Sequence, residues 1–295
     1  MTTRGDGRAA RRAATLYDSL SEDSAGRVIR AFSSSFGLAS RLLGEPVRTR
    51  VRNLYALVRV ADEIVDNTDP GLGAEARATM LTWLHDDVRH AVEHGYSANL
   101  VVHAYARTAR SCGIGADLVD PFFESMRADL ETTEHTQASF ERYVYGSAEV
   151  VGLMCLRVFL AETGPGRDAE YARLAPGAQR LGAAFQKVNF LRDLADDHDL
   201  LGRRYFPGLD VERFSDADRD RILDDIDQDL AAAAAVIPAL PRSSRRAVGA
   251  AHATFAELCS RLRATPAPEI RRTRVRVPDP VKARLLAGAL VRSRS

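Results

Sequence analysis

The stretch Tyr55-Ala-Leu-Val-Arg59-Val-Ala-Asp62-Glu63-Ile-Val-Asp66 reads as a helix with chemistry along one face. At the helical rotation per residue, Tyr55, Arg59, Asp62 and Asp66 fall within about 60° of one another. The same helix is apolar at Leu54, Leu57, Val58, Ala61 and Val65. Carboxylates at i and i+4 stand side by side and repel when nothing lies between them. A divalent cation removes that repulsion, and ligation by oxygen alone suits Mg²⁺ bridged to a phosphate. Acids so spaced are more often a solvated face. Here they extend a stripe with Tyr55 and Arg59 inside an apolar segment, which favours a site.

A second stretch repeats the theme: Gln186-Lys-Val-Asn189-Phe-Leu-Arg192-Asp193-Leu-Ala-Asp196-Asp197. Gln186, Asn189, Asp193 and Asp197 share a face beside Phe185, Val188 and Leu191. Such a polar row is costly in apolar surroundings unless it is partnered. A metal–diphosphate cluster would partner it. Two acidic helices facing across a cavity would hold about three Mg²⁺ with a diphosphate between them, so that an allylic carbon can ionise.

Outward from these two stretches the chain is helical throughout. Ala, Leu and Arg dominate, apolar residues recur at three and four, and alternating strands are missing. The pattern predicts helices over 47–67, 74–94, 99–112, 117–131, 139–162, 169–200, 216–237, 243–263 and 279–292, with a loop over 262–277. A Ser-rich junction follows Phe32, and Asp69-Pro70-Gly71 ends the first acidic helix.

The 295 residues carry 41 Lys plus Arg against 40 Asp plus Glu, so net charge gives no support to nucleic-acid binding. Three cysteines, Cys112, Cys155 and Cys259, fit no disulfide or metal pattern and suit a reducing cytoplasm. The basic N-terminus has no apolar core behind it, and no apolar run approaches the roughly 20 residues of a spanning helix. The expected location is cytoplasmic, at most peripheral to the inner face of a membrane.

Taken in order, Ser33-Ser-Ser35-Phe36, Tyr55…Arg59…Asp62-Glu-Ile-Val-Asp66, Tyr143-Val-Tyr145-Gly146…Gly152 and Gln186…Asn189…Arg192-Asp193…Asp197…Gly202-Arg-Arg-Tyr205 resemble the squalene/phytoene synthase family, the head-to-head prenyltransferases. The resemblance covers roughly residues 25–290, leaving 1–24 as a basic extension, and is strongest to the bacterial phytoene-forming branch. It implies an all-α, single-domain bundle of the isoprenoid-synthase type around a deep central cavity. It implies that Asp62, Asp66, Asp193 and Asp197 bind Mg²⁺ (or Mn²⁺), with Asn189 assisting. Diphosphate contacts fall to Ser33, Ser35, Tyr55, Arg59, Gln186 and Arg192, and Tyr143 and Tyr205 lie beside the carbocation path. The substrates implied are two prenyl diphosphates. Two C20 units give phytoene without NADPH, whereas two C15 units give presqualene diphosphate and then squalene or hydroxysqualene.

The chain departs from the family pattern at Ser34, where a basic residue is common, and at Glu269-Ile-Arg-Arg-Thr-Arg, where a tyrosine is common. Arg271, Arg274 or Lys282 are the candidates to meet phosphate charge instead. From Arg271 to the end there are eight basic residues and one acid, Asp279, a tail suited to phosphate or anionic lipid. The acidic run Asp216–Asp229 reads as a solvated face, as does Asp86-Asp87. The histidines read as scattered, which leaves zinc without a ligand set. A class I terpene cyclase fits less well, because Asp193…Asp197 is not its second metal motif. A non-catalytic family member would not keep all four aspartates.

Overall fold

The computed structural model describes residues 4–32, 35–69, 71–199 and 202–291. Among them the chain runs through α1 (Arg4–Phe32), α2 (Ser35–Ser40), α3 (Val47–Val65), α4 (Ala74–His94), α5 (Leu100–Cys112), α6 (Ala116–Glu131) and α7 (Gln137–Val144). A π-turn over Tyr145–Glu149 leads to α8 (Val150–Leu160), followed by α9 (Arg167–Arg192), α10 (Leu194–Asp199), α11 (Asp216–Val236), α12 (Arg242–Ala264), α13 (Ala267–Ile270) and α14 (Asp279–Val291). No strand occurs among the described residues; Glu134 and Arg204 form one isolated bridge.

Local chemistry fixes the boundaries. α4 stops where Gly95 turns left-handed at φ 85°, a conformation open to glycine. The Asn99 side chain accepts from the backbone N–H groups of Val101 and Val102 and starts α5. Reciprocal capping boxes start α7 at Thr136 and α11 at Ser215.

α1 crosses the expected 24/25 boundary without interruption and packs on α3 and α5. Tyr17 donates to the Ser97 carbonyl at 2.9 Å, and Asp18 holds His103 at 2.9 Å and pairs with Arg107. The helix expected over 139–162 is broken by the π-turn, and that over 169–200 breaks at Asp193. The loop expected over 262–277 contains the short helix α13.

One apolar core lies among α3, α4, α5, α6 and α8, around Leu54, Leu81, Tyr105, Phe122 and Phe123. A second joins α9, α11, α12 and α13 around Val188, Leu223, Ile226 and Leu262. α8 and the π-turn cross α9 closely enough that a Cβ on Gly182 would stand 2.4 Å from the Ala148 carbonyl oxygen. Gln137–Leu160 is long and apolar enough to cross a membrane by length and composition, but half of its residues are buried in the fold.

The acidic run on α11 is not wholly solvated. Asp229 is 1 % exposed and takes Lys187 Nζ at 2.9 Å and Arg180 at 2.9 Å, both from α9. Asp225, on the rim of the same contact, takes Lys187 at 2.5 Å. α11 packs along α9, so the acid on that face meets a buried lysine rather than water.

Candidate active site

The two acidic stretches meet at the ends of α3 and α9. Asp62 is half-buried in the last turn of α3, and Asp66 caps that helix. Desolvation, then the neighbouring Asp66, push the Asp62 carboxyl up to about 7 against the pull of Arg59. On the other side the chain kinks at Asp193, whose backbone leaves the helical region before α10 begins. Arg192 and Arg274 both clamp Asp193, each through Nε at 2.8 Å. Asp197 follows one turn later, and burial, then Asp193, push its carboxyl up to about 7.

Arg203 ties the two sides together. Its backbone N–H donates to the Asp197 carbonyl at 2.9 Å. Its guanidinium donates to Asp66 Oδ1 at 2.7 Å, to the Val65 carbonyl at 3.2 Å and to the Tyr205 hydroxyl at 3.3 Å. Burial works against the charge on this 8 % exposed side chain, but Asp129, Tyr205 and Asp66 outweigh it and hold the pKa above its ordinary value.

Asp129, on α6, is the acid that sequence reasoning missed. It is 6 % exposed at the side chain, accepts from the Tyr143 hydroxyl at 2.8 Å and from the Tyr205 hydroxyl at 3.4 Å, and stands 4.0 Å from Arg203 Nε. Burial pushes its carboxyl up to about 6, against Arg203 and the Tyr143 hydroxyl. A usable signal existed. Asp129 follows Phe122, Ser125 and Met126 at helical spacing, on the face of α6 that the core covers.

Tyr143 and Tyr205 are almost fully buried in an aromatic cluster with Phe140 and Phe190, with rings 5.4 Å apart and Phe190 stacked on Tyr205 at 3.9 Å. An apolar cavity of about 260 Å³ lies between α3, α8, α9, α11 and α12. Val58 and Gln186 line it from the two acidic helices, one turn before Asp62 and just before Asn189. Leu174, Phe159 and Leu240 line it as well. The lining is almost wholly apolar; Ser147 on the π-turn contributes a buried hydroxyl with no hydrogen-bond partner.

Of the other expected residues, Tyr55 lies on α3 and Arg59 pairs with Glu63 while stacking on Phe32 at 4.6 Å. Ser33 and Ser34 lie outside the described residues, as does the side chain of Ser35. Of the three alternative phosphate cations, Arg274 reaches Asp193, Arg271 pairs with Asp199 at 2.7 Å, and Lys282 pairs with Asp279 at 3.1 Å. Among the described residues no three His, Cys, Asp or Glu side chains converge to hold a metal ion on their own. The histidines are less scattered than read from the sequence: His90 and His94 stand one turn apart on α4 with rings 4.2 Å apart, without a third ligand.

Comparison with known proteins places this arrangement. The phytoene synthase of Mycobacterium tuberculosis is 28 % identical over 287 residues, 90 % of this chain and 89 % of that protein. The presqualene diphosphate synthase of Rhodopseudomonas palustris is 26 % identical over 179 residues, 60 % of this chain and 59 % of that protein. The chain spans between 31 % and 59 % of the length of the first curated relatives it matches. In fold it is similar to a dehydrosqualene synthase crystal structure, with a TM-score of 0.78 at 20 % identity over 94 % of this chain and 98 % of that one. The family model for squalene/phytoene synthase matches residues 29–280, a span that holds both acidic helices, Asp129 and Arg203, and the chain belongs to that family.

Proposed function

We propose that the protein is a prenyl transferase that joins two geranylgeranyl diphosphates head to head, through a cyclopropylcarbinyl (prephytoene) diphosphate, to phytoene, a step of carotenoid biosynthesis. The observation that carries this reading is the meeting of two acidic helix ends, bridged by Arg203, on helices that also line an apolar cavity. Diphosphates belong at the polar end and isoprenoid chains in the cavity. Likeness to a phytoene synthase along most of the chain supports the C20 substrate over the C15 one.

The donor set fits Mg²⁺. It is all oxygen, and burial, then a neighbouring carboxylate, has raised two of its carboxyls, so added positive charge is favoured there. Magnesium ordinarily takes one or two protein carboxylates and completes its shell with water and substrate phosphate, so three converging side chains are not required. Asp62 and Asp66 would hold it on one side, and Asp193 and Asp197 with Asn189 on the other. When bound, the metal neutralises the leaving diphosphate and eases ionisation of the allylic carbon.

The chain's own residues do the rest. Arg192 and Arg274 orient Asp193 and bring positive charge to the polar end. The apolar walls keep water from the cation, and the stacked rings of Tyr143 and Tyr205 offer electron-rich faces to positive charge. Proton loss from the rearranged cation completes phytoene, so no hydride donor enters. The hydrocarbon then needs an apolar sink, which the basic C-terminal segment would bring close by peripheral contact with anionic lipid.

The reading is tested by incubating the protein and Mg²⁺ with geranylgeranyl or farnesyl diphosphate, each with and without NADPH, and analysing the extracted hydrocarbons. A C40 hydrocarbon containing a conjugated triene is expected from geranylgeranyl diphosphate without NADPH. A C30 product, or a cyclopropyl diphosphate released for reduction by NADPH, assigns the protein to the squalene branch instead.

A further inference from the structure

The deepest acid of the polar end is not on either acidic helix. Asp129 comes from α6 and lies beneath Arg203, with its side chain 6 % exposed. One of its oxygens accepts from Tyr143 at 2.8 Å, and the other accepts from Tyr205 at 3.4 Å and faces Arg203 Nε at 4.0 Å. Arg203 in turn holds Asp66 at 2.7 Å. Asp129 thus contacts both tyrosines and the cation that secures the first acidic helix.

We propose that Asp129 is a positioning residue for the carbocation steps, holding the Tyr143 and Tyr205 rings against the metal-binding end, and not a fifth metal ligand. This rests on the prenyl transfer put forward above. Both phenol hydroxyls donate to one carboxylate, so neither side chain can swing away without losing a buried hydrogen bond. The negative charge also polarises both phenols and makes their ring faces more electron-rich, which strengthens their attraction for a cation. Arg203 balances Asp129 and lets that negative charge stay buried. His135 closes the outer side, its ring 5.0 Å from Tyr143 and 6.0 Å from Tyr205.

The test separates positioning from ligation. Asp129→Asn, Tyr143→Phe and the double variant are assayed for kcat, KM and the Mg²⁺ concentration giving half-maximal rate. Asp129→Asn is expected to lower kcat about tenfold or more with KM and the Mg²⁺ requirement unchanged. The double variant is expected to be no slower than Asp129→Asn, because the Tyr143 hydrogen bond that Tyr143→Phe removes is one of those already weakened by loss of the Asp129 charge. A raised Mg²⁺ requirement makes Asp129 a ligand and overturns the proposal. So does full activity in Asp129→Asn, or a double variant whose losses multiply.

If Asp129→Asn does not fold, Tyr143→Phe with Tyr205→Phe removes both donors and leaves the acid in place. The same loss of kcat at unchanged Mg²⁺ requirement is then expected, and an unchanged kcat overturns the role. A wild-type protein that turns over neither prenyl diphosphate overturns the functional reading, and this role with it. An active wild type with an unaffected Asp129→Asn overturns the role alone.

Discussion

Arg203 donates to Asp66 at 2.7 Å while its own backbone N–H is held by the Asp197 carbonyl, so one residue joins the two acidic helices. Removing this cation leaves Asp66 and the buried Asp129 unbalanced, and breaking a buried pair on one side costs about 3–5 kcal/mol. Arg203→Ala is therefore expected to lower the thermal midpoint and to abolish turnover. Arg203→Lys should not restore activity, because a single ammonium cannot reach Asp66, the Val65 carbonyl and Tyr205 together. Thermal unfolding and steady-state rates of the two variants check this.

Asp62→Ala and Asp193→Ala remove one carboxylate from each helix end. Both should lose turnover and remain folded, because neither side chain is needed for core packing. Far-UV circular dichroism beside product analysis separates the two effects. Wild-type rates in either variant remove the metal assignment.

α11 offers a contrast between two acids in one run. Asp229 is 1 % exposed and takes both Lys187 and Arg180, so Asp229→Ala leaves the buried Lys187 with the exposed Asp225 alone and should destabilise more than loss of Asp225 does. Asp225 is 56 % exposed at the side chain, and Asp225→Ala should cost under about 1 kcal/mol and leave Mg²⁺ dependence unchanged. Denaturant midpoints measure both.

His85 links α4 to α6, the helix that carries Asp129. Its Nδ1 accepts from Arg127 at 3.0 Å, its Nε2 meets Asp120 at 2.9 Å, and its ring stacks on Phe123 at 4.3 Å. Burial lowers its pKa below the ordinary 6.5, with Asp120 opposing. Below pH 6.5 the unfolded chain therefore binds the proton more readily than the folded one, and stability falls as pH falls through that window. The drop in thermal midpoint from pH 7.5 to 5.5 should be smaller in His85→Gln than in the wild type; an equal drop contradicts this.

Much of the architecture could be read from the chain because it is local. Helix α4 carries its own stop signal at Gly95, and the acid pairs announce themselves by spacing. The π-turn was hidden because its sequence continues an apolar helix and only the close crossing with α9 reveals it. Asp129 and Arg203 are single residues whose meaning comes from partners far along the chain. Asp229 was concealed differently, as one inward acid among seven aspartates whose others mostly face water. A charge run does not say which member meets another helix.

The most direct measurement is the yield of inorganic diphosphate per hydrocarbon formed with Mg²⁺ and geranylgeranyl diphosphate. Head-to-head joining at a centre made of both acidic helices requires two diphosphates per product of twice the substrate's carbon number, with neither released when Mg²⁺ is chelated. One diphosphate per product of unchanged carbon number would show a cyclase, and no release at all would show a fold that no longer catalyses.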